Sequence, residues 1–255
     1  MQIMDFKVIH LEETESTNHW LKEHRDEDFG TGADTALVVV ADFQTAGKGC
    51  GSNTWESERG KNLLLSVMLH PRQVPATSQF ILSMANALAL KAALDEYIGE
   101  VKIKWPNDIY WQDRKICGTL IETTMRGNTI DSCVIGTGIN VNQRLFVSDA
   151  PNPVSLSQIL GREVDCEELL KGVLRQMSDY MELVEQGAWE QIRACYRAHL
   201  YRLGEIRDYW IGDRRESCKL VDVSDDGHLQ LLLMSGQGAE QEMASFAFKE
   251  VQFII

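Results

Sequence analysis

A proline and a set of glycines embedded in strand-like segments constrain this chain more than any other feature. Residues 101–122 read VKIKWPNDIYWQDRKICGTLIE. Pro106 has no N–H and pushes Trp105 toward extended geometry, so Lys102 to Trp105 is expected as a strand that ends abruptly, with Asn107 and Asp108 at its mouth. Ile109-Tyr110-Trp111 resumes the extended run, and Gln112-Asp113-Arg114 forms a polar turn. Lys115 to Glu122 is the returning strand, whose β-branched residues suit a pleated surface and whose Gly118 permits close approach by a ligand. The hairpin thus carries polar chemistry, with Lys104 and Lys115 able to face one pocket.

Glycines recur where other segments resemble strands or loops. Thr35 to Asp42 is an apolar run with three consecutive valines, which suits a strand buried on both faces. The following QTAGKGCGSNTW, Gln44 to Trp55, cannot pack as a helix or strand interior; it is expected as a loop whose amides and Lys48 can wrap a phosphate. It is not a Walker A loop, because no Ser or Thr follows the lysine. Gly136-Thr137-Gly138-Ile139-Asn140 places two glycines in the strand 129–141, which reads either as a bulge or as backbone pressed by a ligand. Ser16-Thr17-Asn18 precedes a short helical stretch and reads either as a helix cap or as a polar binding end.

The remaining elements are framework. Ile3 to Ile9 is extended, Lys22 to Asp28 is a charge run expected at the solvated surface, and Asn62 to His70 is a strand. Val74 to Tyr97 is expected as one long helix with an apolar face that includes Met84. A loop from Asn142 to Asn152 should expose Phe146 and Val147, and Pro153 to Leu160 should be a short helix. Asp165 caps a helix over 166–185, with another over 188–200. After Leu203-Gly204 the pattern changes to short alternating runs, with turns at Gly212-Asp213, Asp225-Asp226-Gly227 and Ser235-Gly236, which predicts a small all-β barrel. The chain therefore divides into 1–203 and 204–255.

Composition removes several functional classes. A net charge of −13 argues against a nucleic-acid-binding surface, since phosphate backbones require clustered cations. Six cysteines without C-x-x-C spacing suit free thiols in a reducing cytosol. No leader sequence or long apolar span is evident, so a cytoplasmic protein without a membrane anchor is expected.

Lys104-Trp105-Pro106-Asn107-Asp108, followed by Gln112 to Lys115 and Gly118, resembles the signature of biotin–protein ligases. The resemblance extends over nearly the whole chain: Ser16-Thr17-Asn18 is similar to the segment that lines the ureido pocket, the 44–55 loop is similar to the family's G-R-G-R-x-G-R-x-W loop, and Gly136-x-Gly138-x-Asn140 to the G-x-G-x-N at the nucleotide end. The resemblance implies an α+β catalytic domain, a mixed β-sheet with flanking helices like that of class II aminoacyl-tRNA synthetases, followed by a small SH3-like barrel. It departs at Cys50 and Asn53, where the family has arginines that help retain the reactive intermediate, so retention should be weaker here or a different cation should help.

The activity implied is ATP- and Mg²⁺-dependent formation of biotinyl-5′-AMP and transfer of biotin to a lysine of a biotin carboxyl carrier protein domain. Lys115, Lys48 and Lys104 would be the catalytic cations. Ser16, Thr17, Asn18, Gln44, Gly47, Lys48, Gly49, Cys50, Lys115 and Gly118 would bind biotin. Trp55, Lys104, Asn107, Gly138 and Asn140 would bind the nucleotide, with Asp108 as Mg²⁺ ligand. The alternatives are a lipoate ligase with the same two-step logic, or a non-catalytic biotin- or nucleotide-binding module. The repressor form of the family carries an N-terminal helix-turn-helix, for which the position of Ser16 leaves no room, so DNA binding is not expected. Either a monomer or a homodimer is compatible with this reading.

Overall fold

The structure is a computed structural model that describes residues 4–25, 27, 29, 35–72, 74–148, 152–234 and 240–255. Seven strands form one mixed sheet: β1 (Asp5–Leu11), β2 (Thr35–Ala41), β3 (Leu63–Leu69), β4 (Val101–Lys104), β5 (Asp108–Trp111), β6 (Arg114–Arg126) and β7 (Thr129–Ile139). Their order is β1-β2-β3-β7-β6-β5-β4, with β1 parallel to β2 and the other pairs antiparallel. The fold is thus α+β with a mixed sheet, as expected from the sequence.

Strand alternation assigns each face of the sheet a different task. Val38 and Val40 of β2 join the main core with α2 (Phe80–Asp95), α4 (Cys166–Glu185) and α5 (Trp189–Ala198), whereas Leu37 and Val39 pack on the opposite face with Leu21 of α1 (Thr17–Glu23). Helix α2 is shorter than the sequence suggested. Pro75 leads into a 3-10 turn at Ala76–Ser78, and the α-helix starts only at Phe80. It is also buried on nearly every side, because it lies between the sheet and α4 and α5. Asp165 caps α4 by accepting from the backbone of Glu167 and Glu168. The short helix α3 (Leu156–Leu160) begins later than Pro153: Ser155 and Gln158 form a capping box, while Pro153 bridges to Lys115.

The C-terminal strands β8 (Ile206–Ile211), β9 (Arg214–Val223), β10 (Leu229–Met234), β11 (Glu240–Phe246) and β12 (Val251–Phe253) form an antiparallel sheet in the order β11-β10-β9-β8-β12. The expected barrel does not close. Among the described residues the edge strands β11 and β12 each pair with a single neighbour and not with each other, which leaves two open edges. Tyr209, Leu220, Val251 and Phe253 of this sheet belong to the same apolar core as the seven-stranded sheet. The turn expected at Ser235-Gly236 lies outside the described residues. Among the described residues no helix is long and apolar enough to cross a membrane, and the six cysteines are free.

Candidate functional site

The floor of the site is set by strand register. Ser66, Gly136 and Leu120 lie in one row across β3, β7 and β6, and Leu64, Gly138 and Gly118 in the next. A glycine exposes bare backbone where a side chain would otherwise stand, so these rows form a trough. The structure shows what fills it. A Cβ on Gly136 would lie 2.0 Å from Asn18 Oδ1, and one on Gly138 2.3 Å from Trp55 Cε2; at Gly118 it would meet Trp55 Cζ3 at 2.9 Å and Lys115 Nζ at 3.1 Å. The open question between bulge and close approach is therefore decided for approach: the glycines admit the side chains of Asn18 and Trp55.

One end of the trough is a closed hydrogen-bonded network. Thr17 donates from both its backbone N and its Oγ1 to Gln44 Oε1, at 2.8 and 3.1 Å. Ser66 Oγ lies 2.6 Å from both Thr17 Oγ1 and Asn18 Oδ1. The Asn18 amide donates to Leu120 O at 3.3 Å and to Glu122 Oε2 at 2.8 Å. Lys22 is exposed, as expected, and from the surface pairs with the other oxygen of Glu122. Burial would raise the Glu122 carboxyl, but the bonds from Lys22 and Asn18 outweigh it and hold the group below its usual range. Ser16 occupies the N-cap position of α1 but makes no side-chain cap bond, so the simple capping reading fails and its hydroxyl remains available to the cleft.

The other end is cationic. Lys115 Nζ forms an ion pair with Asp108 Oδ2 at 2.8 Å and stands 5.9 Å from the Trp55 ring centroid. Lys104 Nζ sits 5.2 Å from the ring of Tyr110 and 4.8 Å from that of Phe253, a residue of the C-terminal sheet. Desolvation lowers the Lys104 pKa and Lys115 and Arg202 add to this, against the opposing pull of Asp108. Asp108, expected as a metal ligand, is engaged with Lys115. Among the described residues no group of three or more His, Cys, Asp or Glu is placed to hold a metal ion.

Between these ends the 44–55 loop folds back on itself. Gly49 N donates to Asn53 O at 2.7 Å and Trp55 N to Gly47 O at 3.0 Å, which brings the Trp55 ring over the glycine rows. The cleft so enclosed has a volume of about 140 Å³. Ser16, Thr17, Asn18, Gln44, Lys48, Gly49, Cys50, Trp55, Lys104, Asn107, Asp108, Lys115, Gly118 and Gly138 all line it. Asn140 lines instead an adjoining cavity of about 450 Å³, shared with Trp55, Lys115 and Phe146. Phe146 is thus partly buried, whereas Val147 is exposed as expected. Gly47 lines neither space. A Cβ there would meet Trp55 O at 2.7 Å, so its task is to let the loop close. Glu56 ties this loop to the 142–148 segment by accepting from Val147 N at 2.9 Å, Ser148 N at 2.7 Å and Gln143 Nε2 at 3.2 Å.

Sequence reasoning missed Ser66, Glu122 and the aromatic residues Tyr110, Phe248 and Phe253 as part of the site's surroundings. Only Ser66 left a readable signal, a hydroxyl in the middle of the apolar run LLLSVML. Asn107 was placed correctly at the mouth, and its amide donates to Thr119 O at 3.2 Å, bracing the hairpin.

The geometry agrees with what comparison with known proteins gives. Residues 11–140 match the profile of the Biotin/lipoate A/B protein ligase family. The "Bifunctional ligase/repressor BirA" of Bacillus subtilis is 33% identical over 181 residues, covering 67% of this chain and 53% of that protein. The "Biotin--[acetyl-CoA-carboxylase] ligase" of Mycobacterium tuberculosis is 28% identical over 207 residues, covering 79% and 75%. The solved biotin protein ligase from Aquifex aeolicus in complex with biotin and ATP superposes with a TM-score of 0.76 at 27% identity, covering 97% of this chain and 99% of that one. The chain spans about half the length of the bifunctional relatives it matches. With a shared profile over half its length and the same fold, the chain belongs to the biotin/lipoate A/B protein ligase family.

Proposed function

We propose that the protein is an ATP-dependent biotin–protein ligase, which forms biotinyl-5′-AMP from biotin and ATP and then transfers biotin to a lysine of a biotin carboxyl carrier protein domain. The observation that carries this reading is the polarity of the trough: a buried hydrogen-bonding end at Thr17, Asn18, Gln44 and Ser66, a glycine floor, and a cationic end at Lys104 and Lys115. Biotin has the same order, with a ureido ring, an apolar chain and a carboxylate. Lipoate fits less well, because its dithiolane offers no hydrogen-bond partner to the polar end, where the Ser16 hydroxyl lines the cleft without a cap bond of its own.

In the first step a biotin carboxylate oxygen attacks the α-phosphorus of ATP and pyrophosphate leaves. Lys115, held beside Gly118 by Asp108, is positioned to screen the two anions and stabilise charge on the transferring phosphorus, with Lys48 and Lys104 as further cations. In the second step the carrier lysine amine attacks the acyl carbon and AMP leaves. The enzyme itself forms no covalent bond. The nucleotide base would occupy the cavity at Asn140 and Phe146. Mg²⁺ fits as an ion that arrives with the polyphosphate, since among the described residues a single carboxylate, Asp108, lines the cleft, and Mg²⁺ commonly takes one or two carboxylates plus phosphate oxygens. When bound it would neutralise charge on the phosphates. Residues 1–203 would form the catalytic unit, with 204–255 as a smaller unit that packs Phe253 against Lys104.

The test is incubation of the protein with biotin, ATP and Mg²⁺, with biotinyl-AMP and biotin-dependent pyrophosphate exchange as readouts, and lipoate in parallel. Exchange with lipoate but not biotin would reverse the substrate assignment. Binding of biotin without exchange would leave a binding module.

A further inference from the structure

By resemblance the glycine loop lacks cations at Cys50 and Asn53, where the phosphate of an acyl-adenylate would need them, yet a cation from elsewhere in the chain reaches the same loop at Gly51. The side chain of Lys249, on the turn between β11 and β12, reaches the loop at Gly51. Its Nζ lies 2.2 Å, and its Cε 3.1 Å, from the point a Cβ on Gly51 would occupy. Gly51 has φ +70, so this position both favours glycine for its backbone and, by lacking a side chain, admits the ammonium.

The turn that carries Lys249 is held in place from both sides. Ala247 N donates to Glu250 Oε2 at 2.8 Å and Glu250 N to Ala247 O at 3.1 Å. Phe248 packs edge-on against Trp105 with centroids 6.0 Å apart and lines the cleft together with Cys50, while Trp105 Nε1 donates to Gly227 O at 2.8 Å. Lys249 itself adopts φ +78, a conformation that a lysine enters only at a cost and that surrounding contacts must maintain. Lys249 is exposed and forms no ion pair with any described residue, so its charge is not already spent on a carboxylate of the fold.

We propose that Lys249 is a phosphate-binding residue of the active site: across the gap between the two sheets it supplies the adenylate-retaining charge that positions 50 and 53 do not. This rests on the ligase reading above and deepens it. The ligand group is the phosphate monoanion of the acyl-adenylate, and the consequence is that loop closure depends on the C-terminal sheet as well as on the loop. Opening for the carrier lysine then requires the Lys249 contact to break.

Chemically prepared, labelled biotinyl-AMP is bound to the full chain and chased with unlabelled compound, for wild type, Lys249→Met, Lys249→Arg and the double variant Lys249→Met/Cys50→Arg. Loss of one charge-assisted contact should speed release roughly ten- to a hundredfold in Lys249→Met. Lys249→Arg should stay within about threefold of wild type, and the added arginine at position 50 should recover most of the lost retention. Release of biotin, which has no phosphate, should be the same in wild type and Lys249→Met. Equal release of biotinyl-AMP from wild type and Lys249→Met overturns the proposal. So does an equal acceleration of biotin release, which would mean that the substitution only disturbs the turn. Because the adenylate is supplied ready-made, these outcomes are separate from the ligase reading, which fails if the wild type shows no biotin-dependent pyrophosphate exchange.

Discussion

Gly136 and Gly138 sit two residues apart on one strand and face the same trough, yet alanine should have very different consequences at the two positions. A Cβ at Gly136 would stand 2.0 Å from Asn18 Oδ1 and 2.7 Å from its Cγ. Ordinary contact needs about 3.5 Å, so Asn18 would have to withdraw by more than about 1 Å. It cannot do so without losing the bond from Ser66 at 2.6 Å and those to Leu120 O at 3.3 Å and Glu122 at 2.8 Å. At about 1 kcal/mol for each neutral bond and about 1.5–3 kcal/mol for the one to a carboxylate, Gly136→Ala should cost roughly 3–5 kcal/mol. At Gly138 the obstruction is the Trp55 ring, whose Nε1 has no hydrogen-bond partner and which is carried on the 44–55 loop rather than on the sheet. The cost there should be about 1–2 kcal/mol, at the low end for overpacking. Urea unfolding of both variants, with biotin calorimetry alongside, measures the difference. Equal destabilisation by the two alanines, or full biotin affinity in Gly136→Ala, would refute the idea that Asn18 is locked and Trp55 movable.

Lys115→Ala should reduce biotin-dependent pyrophosphate exchange by roughly 10²–10³-fold, the scale for one preorganised transition-state donor, while the fold persists; unchanged exchange would remove Lys115 from its role. Gly118→Val should weaken biotin binding, since even a Cβ meets Trp55 at 2.9 Å and Lys115 at 3.1 Å; calorimetry that matches wild type would contradict this. For Lys104 the folded pKa is lowered, so the unfolded chain holds more protons on this group and stability from this source rises with pH between the lowered value and the usual lysine value of about 10.4. Lys104→Met should abolish that rise, and parallel pH profiles of unfolding free energy in the two proteins would show that Lys104 titrates normally.

The parts of the site that could be read from the sequence were those whose chemistry is local. Pro106 ends β4 and the Asn107-Asp108 pair stands at its mouth, because proline geometry acts on its immediate neighbours. Glycines inside strands mark close approach whatever lies opposite, so Gly118, Gly136 and Gly138 were visible before their occupants were known. What could not be read depends on partners distant in the chain. Glu122 looked like the end of a strand until Asn18 and Lys22, about a hundred residues earlier, were brought beside it. Lys249 and Phe253 come beside Gly51 and Lys104 only because a second sheet packs against the first, and no periodicity in 204–255 states which edge faces them. The unclosed barrel has the same origin: alternation marks strands, but closure depends on whether the edge strands pair, which sequence pattern does not state, and among the described residues β11 and β12 do not pair. The misplaced start of α2 is a different kind of miss, since Val74 fits the apolar pattern while Pro75 and a 3-10 turn delay the helix.

Charge balance links these pieces. Several lysines converge on one cleft in a chain whose net charge is −13, and like charges close together in a partly desolvated site repel. Asp108 offsets this for Lys115 through direct contact, and the rings of Tyr110 and Phe253 offset it in part for Lys104, whose pKa is lowered first by desolvation and then by the charges of Lys115 and Arg202. A cleft left in this state binds polyanions at an advantage, because each phosphate relieves repulsion that the empty site already bears. The same argument separates the roles of the two ends. The Thr17, Asn18, Gln44 and Ser66 end is satisfied within the protein, so it discriminates by shape and hydrogen-bond polarity. The lysine end sets Lys48, Lys104 and Lys115 against the single carboxylate of Asp108 among the described lining residues, so in the ligase proposed above it would supply binding energy that grows as negative charge accumulates on the reacting phosphorus, which is the property a transition-state stabiliser requires.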